Sequence, residues 1–160
     1  MQLYETWDEC WRDVIRKIIF PDSELKELMC VPDGTTIIQF IDKYFVRAGY
    51  TSEILTNEDV RIVYSVVHTN DLSIQNAGEY ELHFDIYVRQ QRLHDVGRDR
   101  LAFRTDLIAK RLKELLFIEP QKHSGFVGMF RFYNPKESDL GTRTIGYTRH
   151  NLRFNFKRFD

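Results

Sequence analysis

From Tyr80 to Val88 apolar and polar residues alternate without a break. A period of two marks a strand with one buried face. Tyr80, Leu82, Phe84, Ile86 and Val88 point one way, and Glu81, His83, Asp85 and Tyr87 the other. Val60 to His68 predicts a strand before it. Between them, Thr69 to Gly78 is polar and turn-rich, a long loop or the tip of an extended hairpin. From Arg98 to Leu116 the period changes to that of a helix. Leu101, Ile108, Leu112 and Leu115 form its inward stripe, widened by Phe103, Leu107 and Leu116. Arg100, Arg104, Lys110, Arg111 and Lys113 are expected on its outer face. Phe126 to Tyr133 predicts a third strand, and Asn134 to Gly141, with Pro135, a turn region. The last strand falls within Thr142 to Phe159, with Leu152, Phe154 and Phe156 inward and Asn151, Arg153, Asn155 and Lys157 outward.

Residues 1–50 are patterned differently. Trp7, Trp11, Val14, Ile15, Ile18 and Ile19 recur at helical spacing, and Pro21 stops that helix near Phe20. Thr6 and Glu9 have the spacing of a capping box. Asp22 to Met29 predicts a short second helix with Leu25, Leu28 and Met29 inward. After a turn at Pro32-Asp33-Gly34, the residues Ile37, Ile38, Phe40, Ile41, Tyr44 and Phe45 favour a third helix ending at Gly49. The β-branched content of that segment keeps a strand open as the alternative. The expectation is therefore an α+β fold: an antiparallel sheet of about four strands packed by a helix, with an N-terminal helical segment. Length makes residues 1–160 one domain, with 1–50 helical and 55–160 the α+β core.

The net charge of −1 gives no global pull toward nucleic acid or membrane. Its distribution is uneven. Residues 1–60 carry 6 Lys/Arg against 12 Asp/Glu, and residues 61–160 carry 17 against 12. Opposite halves on one chain suit head-to-tail self-association, although solvated faces produce the same asymmetry. Cys10 and Cys30 lack any metal-ligand spacing and read as buried thiols of a reducing compartment. Met1 to Glu5 has no secretory pattern, and no apolar run approaches the roughly 20 residues that span a bilayer.

Motif chemistry is sparse. There is no GxGxxG, no GxxxxGK[ST], no GxSxG and no HExxH. Glu81, His83 and Asp85 share a strand face, but a nuclease of the restriction-enzyme type needs a Lys two positions after its acid. Tyr87 follows Asp85 there, and His83 follows Glu81. The simpler reading is the wet side of a sheet. His68, His83, His94, His123 and His150 are scattered, each expected at a surface or strand end. Arg143, Arg149, Arg153, Lys157 and Arg158 make the last nineteen residues basic, and Tyr147, Phe154, Phe156 and Phe159 interleave with them. A nucleic-acid surface has this composition, but so has any amphipathic strand with rings inside and charge outside.

The polar segment Thr69–Gly78, the strand Leu82–Val88, the helix Asp99–Leu112 and the ending from Gly146-Tyr147 to Phe156 resemble the small neck proteins of tailed bacteriophages. Among these, tail-terminator and tail-completion (head–tail joining) proteins are most alike. The likeness spans about residues 55–160 and rests on pattern, not on a diagnostic motif; residues 1–50 fall outside it. It implies a structural virion protein with no catalytic residue, metal or cofactor. Such proteins form a ring, usually of six subunits and twelve in related portal adaptors, at the head-proximal end of the tail. The ring stops tail-tube growth and joins tail to head. Partners implied are other copies of the chain, the tail-tube protein and the head connector, with sequence-independent DNA contact in the lumen and no membrane. The location implied is the virion neck, assembled in the host cytoplasm. A heterologous contact closes such a ring. The candidates for it are Asn70, Asp71, Ser73 and Asn76 in the polar segment, Arg100, Arg104 and Arg111 on the helix, and Arg149 and Arg153 on the last strand. Asp8, Asp13, Glu24 and Glu27 offer the complementary charge. The rival readings are a metal-dependent nuclease with a degenerate site and a nucleic-acid-binding module.

Overall fold

Trp11, Val14, Ile15 and Ile19 are buried as one stripe, and that stripe explains the first helix. It runs as α1 (Trp7–Val14) and continues as a wider π-helical turn, Ile15–Ile19. The Phe20 N–H there donates to the Ile15 carbonyl at 2.8 Å. A computed structural model describes residues 7–49, 58–68, 79–94, 103–118, 130–141 and 146–158. The Thr6–Glu9 capping box, Cys10 and the whole 69–78 segment lie outside the described residues or side chains.

α2 (Ser23–Leu28) begins where Asp22 Oδ2 accepts the Leu25 N–H at 2.8 Å. It ends in a Schellman closure: Val31 N–H donates to Lys26 C=O at 3.0 Å and Cys30 N–H to Glu27 C=O at 3.1 Å. That closure places Cys30 at φ 55°, in the left-handed region that glycine usually fills. α3 (Ile37–Lys43) starts at a reciprocal capping box between Thr36 and Gln39.

The helix expected through Phe45 to Gly49 stops at Lys43. Phe45 opens β1 (Phe45–Arg47), which pairs in parallel with β2 (Val60–His68), Phe45 opposite Ile62. The physical reason is aromatic packing. As a strand residue Phe45 is fully buried, with ring centroids 5.2 Å from Tyr64, 5.7 Å from Phe84 and 5.9 Å from Phe40. Gly49, at φ 82°, serves the turn after the strand.

The fold is α+β. β3 (Glu79–Arg89), β4 (Phe130–Gly141) and β5 (Tyr147–Arg158) complete a five-stranded mixed sheet of order β1-β2-β3-β5-β4. The four antiparallel strands expected are all in it, and β1 is the fifth. β4 departs most from expectation, because Asn134–Gly141 is strand and not turn. Its edge position accommodates Pro135, which has no N–H to donate. The register shifts between Tyr133 and Lys136, a bulge at Asn134-Pro135.

α4 (Arg104–Lys113) and the wider turn Glu114–Ile118 cross one face of the sheet. Ile108, Ala109, Leu112, Leu115 and Leu116 meet Leu82, Phe84, Ile86, Leu152 and Phe154 in a core shared with Trp11 and Phe40 of the N-terminal helices. On the opposite face Val63, Tyr87 and Tyr147 form a small second apolar group. No helix among the described residues is long and apolar enough to cross a membrane.

Candidate functional site

Four of the nine residues proposed from sequence as interface groups lie within the described structure, and two of them turn inward. Arg104 was expected outward but is buried, with 5% of its surface exposed. Its Nη1 donates to the Leu28 carbonyl at 2.7 Å and its Nε to the Arg92 carbonyl at 2.8 Å. Leu28 ends α2, where helix carbonyls lack partners along the chain, so a guanidinium is a suitable cap. Arg104 therefore docks α4 onto α2. Asn70, Asp71, Ser73, Asn76 and Arg100 lie outside the described residues.

Arg111 is half-buried and does the same work two turns farther along the same face of α4. Its Nε and Nη2 reach the two oxygens of Asp22 at 2.9 and 2.5 Å, a two-pronged contact, and its Nη1 reaches Glu114 at 2.9 Å. The hydrogen bond to Asp22 holds the guanidinium above its ordinary value. On Asp22 burial pushes the carboxyl up, but the Arg111 and Leu25 hydrogen bonds and the Arg111 and Lys26 charges outweigh it, and the carboxyl sits below the usual range. A depressed carboxyl stabilises the fold above its unfolded value and loses that contribution as pH falls through its folded value. Asp22→Asn keeps a helix-capping oxygen and removes the charge. We expect the variant to lose about 1 kcal/mol at neutral pH. That deficit should begin to shrink below about pH 4, where the carboxyl of the unfolded chain starts to protonate, and should vanish as pH falls through the lowered folded value. Urea unfolding from pH 3 to pH 7 measures both, and a deficit that stays constant with pH would contradict the assignment.

Arg149 and Arg153 remain on the second face of the sheet, across from Asp85 and Glu81. Arg149 Nη2 is 2.9 Å from Asp85 Oδ2, and Asn151 Nδ2 donates to Asp85 Oδ1 at 3.0 Å. The Arg149 guanidinium lies over the Tyr87 ring, 5.6 Å from its centroid. Arg153 Nη1 is 3.7 Å from Glu81, and His83 Nε2 is 2.6 Å from the same carboxylate. The row Glu81, His83, Asp85 is thus occupied by side chains of its own sheet, as cross-strand pairs of opposite charge should be.

The cluster that sequence reasoning missed is on the other face, at the sheet edge. His150 is 5% exposed, not at a surface or strand end. Its Nδ1 is 3.0 Å from Asp139 Oδ1 and 3.8 Å from Asp106 Oδ1, and its Nε2 is 3.0 Å from Glu137 Oε1. Lys113 Nζ holds the second Glu137 oxygen at 2.6 Å. Burial pushes the Asp106 carboxyl up; His150 draws it down, Asp139 and Glu137 push it up again, and the net shift is upward. Burial also pushes Glu137 up, but hydrogen bonds from Lys113 and His150 prevail and hold it low. One signal for this site was present in the sequence: the period of β5 puts His150 on the face of Leu152, Phe154 and Phe156. The other was hidden. With Asn134–Gly141 read as a turn, nothing placed Asp139 opposite His150 or Glu137 opposite Leu152. The donor atoms of Asp106, Asp139 and His150 lie within 4.8 Å of one another, close enough to hold a metal ion.

No protein-family model matches the chain, and no curated protein matches it either.

Proposed function

We propose that this chain is a structural subunit of a tailed-phage neck, forming a ring at the head-proximal end of the tail that ends the tail tube and joins it to the head. What supports the reading is the element order over residues 55–160, strand, polar segment, strand, helix, strand, strand, in which the sequence resembles that group. In this chain β2, β3, β5 and β4 lie side by side with α4 across one face. Among the described residues, no helix packs on the other face. Arg149, Arg153, Asp85 and Glu81, half-exposed on that face, are the groups we assign to a neighbouring subunit. Arg104 and Arg111 are spent inside the fold, so the contact we infer moves from the α4 face to this one. Ion pairs on a half-exposed face are individually weak, but a ring repeats them.

Mass photometry and negative-stain imaging of the purified protein, alone and with tail tubes, test the reading. We expect closed rings, six-fold or twelve-fold, that bind tube ends. Rings should weaken in high salt and in the pair Arg149→Glu, Arg153→Glu, provided circular dichroism shows the fold retained. A monomer at every concentration that also ignores tube ends would overturn the proposal. So would magnesium- or manganese-dependent DNA cleavage that disappears in Asp85→Ala, which would favour the nuclease.

A further inference from the structure

We draw no further inference here: the strongest candidate, the exposed apolar pair Ile38 and Ile41 on the outer face of α3, carries nothing because nothing in the structure shows what covers it.

Discussion

Phe84→Ala is expected to cost roughly 3–5 kcal/mol, a large part of the stability of a chain this size. Phe84 is fully buried on β3, between Tyr64 of β2 and Leu152 of β5. Its ring lies 5.7 Å from Phe45, 5.9 Å from Phe154 and 6.1 Å from Trp11. Those neighbours belong to the edge strand β1, to β5 and to the first helix. The substitution therefore removes apolar contact and opens a cavity that several elements must border. Interiors collapse only partly around such cavities, so the cost exceeds simple transfer. Urea unfolding followed by Trp fluorescence and far-UV circular dichroism gives the number. A loss below about 1 kcal/mol would mean that the N-terminal helices do not share the sheet's core.

Leu112→Ala is the second large effect, roughly 2–5 kcal/mol. Leu112 is fully buried where α4 meets the sheet. Lys110, two residues earlier, is exposed, and Lys110→Ala should change stability by no more than about 0.5 kcal/mol. The contrast between the two tests the helical phase directly. A slip of two positions in α4 would put Lys110 in the place of Leu112, and it would also pull Arg104 away from the Leu28 carbonyl and Arg111 away from Asp22. A Leu112→Ala loss below about 0.5 kcal/mol would place the apolar stripe of α4 in water and overturn the packing described above.

The elements legible in the sequence are those whose apolar period agrees with their burial. The alternation of β3 assigned Leu82, Phe84, Ile86 and Val88 to the core, and all four are buried. The same rule placed Leu152, Phe154 and Phe156, and helical spacing placed Trp11, Val14, Ile15 and Ile19. It also predicted α2, down to the inward Leu25, Leu28 and Met29. Tyr87 was assigned to the polar face and does lie there, but it is buried with Val63 and Tyr147. Period tells which side a residue is on; it does not tell what covers that side.

What the sequence by itself determined, then, is the fold class and the inner faces of β3, β5 and the first helix, because a buried stripe must repeat with the geometry of its own backbone. What only the tertiary structure decided depends on partners distant in the chain. Phe45 leaves its helix because a ring of aromatics and the β2 backbone outweigh local helical spacing. Asn134–Gly141 becomes a strand because β5 offers a ladder and the sheet edge leaves room for Pro135 and a bulge. Arg104 and Arg111 carry the composition of a solvated face, yet α2 presents a bare carbonyl to one and a carboxylate to the other. His150 acquires Asp106, Glu137 and Asp139 only when α4 and β4 close over it. Charged side chains are long and their partners nonlocal, so their roles follow from packing and cannot be read from period.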